Sequence, residues 1–125
     1  MKIFCEDIST SDTEFGSEIC FSDKINNRAQ LKNIVPESIG NYVLLQRTYS
    51  EDEFDDDYTY IEFSDFEKSG KFKNYKMDLY RTRLLISYEN EDIEILFSVD
   101  NSKYNRIKNT IRNIVSRDGY FIIHD

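Results

Sequence analysis

The densest group of chemically reactive side chains in the sequence is a run of carboxylates between residues 51 and 57. Six of its seven residues are acidic, since the chain reads Glu51-Asp52-Glu53-Phe54-Asp55-Asp56-Asp57, and Tyr58 follows. Carboxylates this close repel one another, and a cationic partner relieves that repulsion and associates faster. The run therefore predicts a binding site for a cationic protein, with Phe54 and Tyr58 as apolar anchors. The alternative is that these charges only keep a Tyr- and Phe-rich protein in solution.

Carboxylates are also ligands for divalent cations, so the same run was compared with known metal-binding spacings. An EF-hand loop needs a glycine at its sixth position and a glutamate at its twelfth. Residues 51–67 contain no glycine at the required place. Cys5, Cys20 and His124 are too few and too widely spaced for zinc. We therefore expect no metal and no cofactor.

A second group combines basic and aromatic side chains, a composition that holds phosphates and stacks bases in nucleic-acid-binding proteins. Its basic members are Lys68, Lys71, Lys73, Lys76, Arg81 and Arg83, and its aromatic members are Phe72, Tyr75 and Tyr80. The formal net charge of -8 repels nucleic acid from most of the surface. We therefore predict no direct nucleic-acid binding, and we expect these cations to pair with acids or to offset them.

Catalysis has little support in the sequence. Its one histidine, His124, lies next to the C-terminus. The chain contains no G-x-S-x-G, P-loop, G-x-G-x-x-G or H-E-x-x-H motif. A hydrolase that uses two carboxylates stays open, because the sequence does not say which acids face each other. We predict that the protein is not an enzyme.

Length and composition indicate one domain spanning residues 1–125. The chain has 125 residues, of which 39% are hydrophobic and 32% charged. It has no apolar run near the roughly 18 residues that span a bilayer, and its first residues become acidic before a signal-peptide segment develops. Two cysteines do not make a disulfide framework, so Cys5 and Cys20 are expected to be reduced. These features predict a cytoplasmic protein.

The clearest predicted element is a C-terminal helix. Ser98 or Asp100 is a candidate N-cap, and apolar residues then recur at helical spacing: Tyr104, Ile107, Ile111, Ile114 and Val115. Gly119 suits the left-handed position that follows a helix end. A last strand is predicted from Tyr120 to His124.

Alternating apolar and polar residues predict several strands before this helix. One hairpin is expected from Tyr80–Tyr88 and Ile93–Ser98, and another from Tyr42–Tyr49 and Tyr58–Phe63, with the acidic run in its loop. Shorter strands are predicted at Ile3–Ile8 and Glu18–Phe21, and a possible second short helix near residues 23–34, before Pro36. The predicted fold class is α+β: a mostly antiparallel sheet of about five or six strands with the C-terminal helix on one face.

In size, charge, acidic loop and C-terminal pattern, the chain resembles bacterial immunity proteins of polymorphic-toxin and contact-dependent inhibition systems. The C-terminal pattern comprises Ile93–Phe97, Lys103–Ser116 and Tyr120–Ile123. The resemblance implies that the carboxylates occlude the basic active site of a nuclease-like toxin. Two alternatives use other partners: a phage-encoded nucleic-acid mimic that inhibits a host defence protein, and a structural or regulatory module. The module would bind through a tyrosine-rich surface composed of Tyr42, Tyr49, Tyr58 and Tyr60.

Overall fold

The computed structural model describes residues 2–23, 41–49, 58–63, 69–88, 91–116 and 119–124. In these ranges the chain forms ten strands and one helix. The strands are β1 (Lys2–Phe4), β2 (Asp7–Asp12), β3 (Gly16–Ser22), β4 (Tyr42–Thr48), β5 (Thr59–Phe63), β6 (Gly70–Phe72), β7 (Tyr75–Tyr80), β8 (Arg83–Tyr88), β9 (Glu91–Leu96) and β10 (Gly119–His124). The helix is α1 (Asn101–Ile114).

The strands divide into two five-stranded sheets. Sheet A has the order β1-β9-β8-β7-β10, and sheet B has the order β2-β3-β4-β5-β6. Sheet B is antiparallel throughout. Sheet A is an antiparallel meander of β7, β8 and β9, to which β1 and β10 add as parallel edge strands.

The chain changes sheets at two short places in the described ranges. Cys5 and Glu6 connect β1 of sheet A to β2 of sheet B, and Lys73 and Asn74 connect β6 of sheet B to β7 of sheet A. Asn74 has a φ of 54°, in the left-handed region that asparagine tolerates better than most residues. Each of these short connections places two consecutive strands in different sheets.

One hydrophobic core joins both sheets and the helix. Strands such as β7 and β8 alternate between buried and less buried residues, because successive side chains point to opposite faces. The buried side chains form one cluster: Ile3, Ile19, Phe21, Val43, Leu45, Ile61, Phe63, Phe72, Tyr75, Met77, Leu79, Leu84, Ile86, Ile93, Ile95, Phe97, Tyr104, Ile107, Ile111 and Ile114.

Helix α1 packs against β2, β3 and β4 of sheet B. Asp100 is its N-cap and accepts a hydrogen bond from the backbone N–H of Lys103 at 2.7 Å, as a capping carboxylate should. At the other end, the guanidinium of Arg47 donates to the carbonyls of Asn113 and Val115 at 3.0 and 3.2 Å. This cation therefore satisfies carbonyls at the negative end of the helix.

A buried cluster of hydroxyl groups fastens the end of α1 to both sheets. The hydroxyl of Tyr75 in sheet A lies 2.9 Å from Oγ1 of Thr59 in sheet B. Thr59 donates to the carbonyl of Ile114 at 2.8 Å, and the backbone N–H of Ser116 donates to the Tyr75 hydroxyl at 3.1 Å. Because Thr59 and Tyr75 are almost completely buried, each of these bonds replaces one that water would otherwise make.

The predicted fold class, α+β, is confirmed, together with the C-terminal helix and the last strand. Each sheet has five strands, within the predicted number, but the chain builds two sheets instead of one. The hairpin from residues 42–49 and 58–63 is confirmed as β4 and β5, and the later hairpin as β8 and β9. The possible helix near 23–34 lies outside the described residues after Asp23.

Three details of the predicted elements are wrong. The predicted strand Ile3–Ile8 is divided at Cys5 and Glu6 between β1 of sheet A and β2 of sheet B. The alternation from Tyr80 to Tyr88 is interrupted by a turn at Arg81 and Thr82, which divides it between β7 and β8. Gly119 does not end the helix, because α1 ends at Ile114 and Gly119 begins β10. A Cβ at Gly119 would lie 2.1 Å from ring atoms of Tyr75, so close packing explains the glycine. Within the described ranges, no helix has the length and apolarity that crossing a bilayer requires.

Candidate functional site

The acidic segment has both of its described flanks, Tyr49 and Tyr58, at one end of sheet B. It leaves β4 after Tyr49 and returns through Tyr58 to β5, and these two strands pair with Arg47 opposite Thr59. Residues Glu51, Asp52, Glu53, Phe54, Asp55, Asp56 and Asp57 lie outside the described ranges, whereas Tyr58 lies inside them. We call this region the acidic end of sheet B and define its described part as Asp12–Gly16, Tyr49 and Tyr58.

The turn between β2 and β3 presents an exposed phenylalanine at the acidic end. The side chain of Phe15 is 65% exposed. Its turn is closed by four hydrogen bonds. The N–H groups of Phe15 and Gly16 donate to Oγ1 of Thr13, and both the N–H and the hydroxyl of Thr13 donate to the Gly16 carbonyl. A Cβ at Gly16 would meet the Arg47 carbonyl at 2.5 Å, so glycine allows the close approach of β4. Phe15 is thus an apolar side chain on a well-ordered support.

The turn is hydrogen-bonded to Tyr49, two residues before the acidic segment. The N–H of Tyr49 donates to the Phe15 carbonyl at 2.9 Å, and the Tyr49 hydroxyl lies 2.6 Å from Oγ of Ser17. On the other flank, Nζ of Lys71 lies 4.5 Å from the centre of the Tyr58 ring, a cation–π distance. Exposed Phe15 and Tyr49 are therefore joined by hydrogen bonds at the same end of sheet B.

Asp12 is an ionised carboxylate at this end of the sheet. Its oxygens accept hydrogen bonds from Thr110 at 2.6 Å, Ser17 at 2.7 Å and Asn113 at 3.3 Å. Partial burial opposes ionisation, but these three donors outweigh it and lower the pKa of Asp12 below its ordinary value. Asp12 therefore stays charged at neutral pH, and it ties the β2–β3 hairpin to α1.

The basic residues of the second sequence group are dispersed in the structure. Lys76 and Arg83 lie on sheet A, within 3.8 and 3.3 Å of carboxylate oxygens of Asp78 and Glu94. Arg81 donates to the Val99 carbonyl and to Asn101, beside the start of α1, and Lys71 lies on β6 of sheet B. Lys68 is outside the described residues. Lys76 and Arg83 therefore pair with acids as expected, and the described members of the group are divided between the two sheets.

Two tyrosines of sheet B donate hydrogen bonds to the same carboxylate. Tyr42 and Tyr60 both donate to the carboxylate of Glu62, at 2.8 and 3.2 Å. Desolvation and the neighbouring Glu62 raise the pKa of Tyr42 and of Tyr60 above the ordinary value. All four tyrosines of the predicted tyrosine-rich surface are half-buried, so the large exposed apolar side chains lie elsewhere.

Three of those exposed side chains share the outer face of sheet A, which we define as the face opposite the core. They are Phe4 (66% exposed) on β1, and Tyr120 (75%) and Ile122 (42%) on β10. In the order β1, β9, β8, β7, β10, one row of this face is Phe4, Leu96, Arg83, Tyr80 and His124, and the next is Lys2, Glu94, Leu85, Asp78 and Ile122. The face mixes apolar side chains with ion pairs.

His124 lies on this outer face and is not in a catalytic arrangement with a nucleophile among the described residues. Its Nε2 is 2.8 Å from a carboxylate oxygen of Asp78, and its ring stacks on Tyr80 with centroids 4.4 Å apart. Cys5 and Cys20 are both unbridged and half-buried, and burial raises the pKa of each thiol to about 11. They are therefore poor nucleophiles at neutral pH.

Metal-ligating side chains are scattered in the described part of the chain. These residues contain no group of three or more His, Cys, Asp or Glu side chains placed to hold a metal ion. No protein-family model, curated protein or solved structure matches the chain. Two surfaces of the described molecule carry large exposed apolar side chains: the acidic end of sheet B and the outer face of sheet A.

Proposed function

We propose that the protein is a cytoplasmic, non-catalytic binding protein that neutralises a cationic protein partner through the acidic end of sheet B. The most specific form of this proposal is a bacterial immunity protein that occludes the basic active site of a nuclease-like toxin. The binding residues are Glu51–Asp57 and Tyr58. Exposed Phe15, on its hydrogen-bonded turn beside Tyr49, is the observation that carries the proposal.

The proposal joins two contributions to recognition that depend on different residues. The six carboxylates of residues 51–57 attract a basic surface and raise the rate of encounter. An aromatic side chain that fills a pocket on the partner slows dissociation, and Phe15 has the exposure for that role. The turn that holds Phe15 is already ordered, so less conformational entropy is lost on binding than for a flexible anchor.

Two cations next to the acidic end of sheet B each have a contact within the molecule. The guanidinium of Arg47 donates to carbonyls at the end of α1, and Lys71 lies over the ring of Tyr58. Asp12 keeps its charge through its three hydrogen bonds. Arg47 and Lys71 offset the charges of Asp12 and Glu14, so the attraction for a cationic partner comes from residues 51–57.

The experiment begins with affinity capture from lysate of the source organism, with neighbouring gene products co-expressed, at low and high salt. Captured proteins are identified by mass spectrometry, and the affinity of the recovered partner is then measured by biolayer interferometry. Asp56→Lys is compared with Glu6→Lys, because both change the net charge equally. Glu6 is exposed and lies beside the start of β2, at the opposite end of sheet B.

We expect a basic partner that is lost at high salt. Asp56→Lys should weaken its binding by about tenfold or more, whereas Glu6→Lys should have a much smaller effect. Phe15→Ala should mainly increase the dissociation rate.

An equal effect of both charge changes would mean that binding depends on the net charge of the protein and not on the acidic end of sheet B. A partner that ignores salt and the Asp56 change would refute the proposal, and a basic defence protein of a phage host would favour the nucleic-acid mimic.

A further inference from the structure

The described strands leave four sheet edges, and three of them carry features that discourage pairing with another chain. Edge strands β1 and β6 have three residues each and contain Lys2 and Lys71. Edge strand β2 begins and ends with aspartate. Short length and charge are the ordinary means by which proteins protect a sheet edge from association.

The fourth edge, β10, has none of this protection. It has six residues, Gly119-Tyr120-Phe121-Ile122-Ile123-His124, with no Asp, Glu, Lys, Arg or Pro. All six residues pair with β7 on one side of the strand. On its other side, β10 has no neighbouring strand among the described residues. A long, apolar, uncharged strand at an open edge is a template for a further strand.

The charge of the outer face of sheet A is compatible with a second copy of this chain at the β10 edge. The outer face of sheet A carries three cations and three carboxylates, so its formal charge is zero: Lys2, Lys76, Arg83, Asp78, Asp92 and Glu94. The whole chain has a formal charge of -8. Next to β10, Lys76 and Asp78 form an ion pair. A second copy of this acidic chain carries the same net charge, and the neutral face beside β10 adds no net repulsion to its approach.

We propose that β10 pairs antiparallel with β10 of a second copy, around a two-fold axis at Ile122, so that two copies of sheet A form one ten-stranded sheet. A strand that pairs with itself in this way is self-complementary by symmetry. Ile122 then lies opposite Ile122 of the second copy, and Tyr120 lies opposite His124. On the inner face, half-buried Phe121 lies opposite Ile123 and extends the apolar core across the axis.

The dimer is expected to be weak and concentration-dependent. Tyr120 and Ile122 supply the exposed apolar area, and a tyrosine side chain offers roughly 150–250 Å². The surface buried by one pair of six-residue strands and these side chains is smaller than the roughly 1,200 Å² that a stable interface buries. Dimerisation is therefore a separate property from binding of the cationic partner, which the proposal places on sheet B.

The first test is sedimentation velocity of the full chain over about a hundredfold range of concentration. Ile122→Lys brings two lysines together at the axis and is expected to raise the dissociation constant at least about tenfold. Phe4→Lys is the matched control, since Phe4 is also exposed on the outer face but lies on the opposite edge strand. A chain that stays monomeric throughout, or a dimer weakened equally by Phe4→Lys, would overturn the proposal.

Cross-linking supplies a second test that does not depend on weakening the fold. Ile122→Cys would place two thiols opposite each other at the axis, where Cα atoms of facing strand residues are roughly 4.5–5.5 Å apart and a disulfide fits. Burial raises the pKa of native Cys5 and Cys20 to about 11, so they compete poorly at neutral pH. We expect a covalent dimer from Ile122→Cys and none from Phe4→Cys under mild oxidation. Absence of the dimer from Ile122→Cys would contradict the two-fold pairing.

Discussion

Replacing Tyr75 with phenylalanine tests how the molecule joins its two sheets. The change removes one oxygen atom and keeps the ring, which stacks on Phe72 with centroids 4.0 Å apart. That oxygen lies 2.9 Å from Oγ1 of Thr59 and accepts from the N–H of Ser116 at 3.1 Å. Tyr75→Phe therefore removes one contact between the sheets and one acceptor for a buried backbone donor.

The cost follows from these two bonds. Loss of a buried hydrogen bond costs about 1 kcal/mol, and a buried donor left without a partner costs about 2 kcal/mol. The sum, about 3 kcal/mol, is a large share of the stability of a domain this size. If the free energy of unfolding falls by ~1.5 kcal/mol per M of urea, this loss should lower the urea concentration at the unfolding midpoint by about 2 M.

Urea unfolding followed by far-UV circular dichroism measures this change, because the chain has no tryptophan to report by fluorescence. Tyr120→Phe is the control: it removes the same atom from an exposed side chain and should change the free energy of unfolding by less than about 0.5 kcal/mol. If Tyr75→Phe changed stability no more than Tyr120→Phe, the hydroxyl cluster would not be a structural joint.

Three further predictions concern packing, pH and thiol reactivity. Gly119→Ala should destabilise the protein by about 1–3 kcal/mol in urea, because the new methyl group meets the buried Tyr75 ring; unchanged stability would contradict this packing. The pKa of Asp12 is lower in the folded than in the unfolded chain, so its stabilising effect is present above about pH 4 and is lost as pH falls through the folded value. The stability difference between wild type and Asp12→Asn should therefore shrink in urea titrations from pH 7 to pH 3, and a constant difference would refute it. With a pKa of about 11, Cys5 and Cys20 should react with iodoacetamide at pH 8 about a hundredfold more slowly than a thiol of ordinary pKa 9, and unfolding should abolish the protection.

Local patterns predict the elements of this fold well where a signal lies within one element. The apolar spacing and Asp100 identify α1, and alternation identifies β4, β5 and β9. The division into two sheets was missed because alternation shows that a strand has two faces and does not show which sheet it joins. The crossings at Cys5-Glu6 and Lys73-Asn74 occupy two residues each and leave no pattern.

Gly119 illustrates a signal with two physical meanings. A glycine after a helical stretch suits a left-handed helix end, but here the helix ends at Ile114 and the glycine makes room for Tyr75. The contact joins residues far apart in the chain, so the sequence alone does not distinguish it from a helix cap.

The candidate site was predicted in part. The acidic run is plain in the sequence, and the structure places its flanks, Tyr49 and Tyr58, at one end of sheet B. Phe15 was missed because β3 was predicted to begin at Glu18, two residues after its start in the structure, and no turn was predicted before it. Thr13-Glu14-Phe15-Gly16, between two alternating stretches, is typical of a hairpin turn, and that signal would have exposed the phenylalanine.

Site-specific photocrosslinking from position 15 tests the central claim most directly. The photoreactive p-benzoylphenylalanine replaces Phe15 in one variant and Phe4 in a control, and the cells are irradiated before mass spectrometry of the adducts. We predict that position 15 captures a basic protein, that position 4 does not, and that the combined Asp55→Lys, Asp56→Lys and Asp57→Lys changes abolish the adduct. A basic adduct from both positions, or none from position 15, would contradict the claim that the acidic end of sheet B binds a cationic partner.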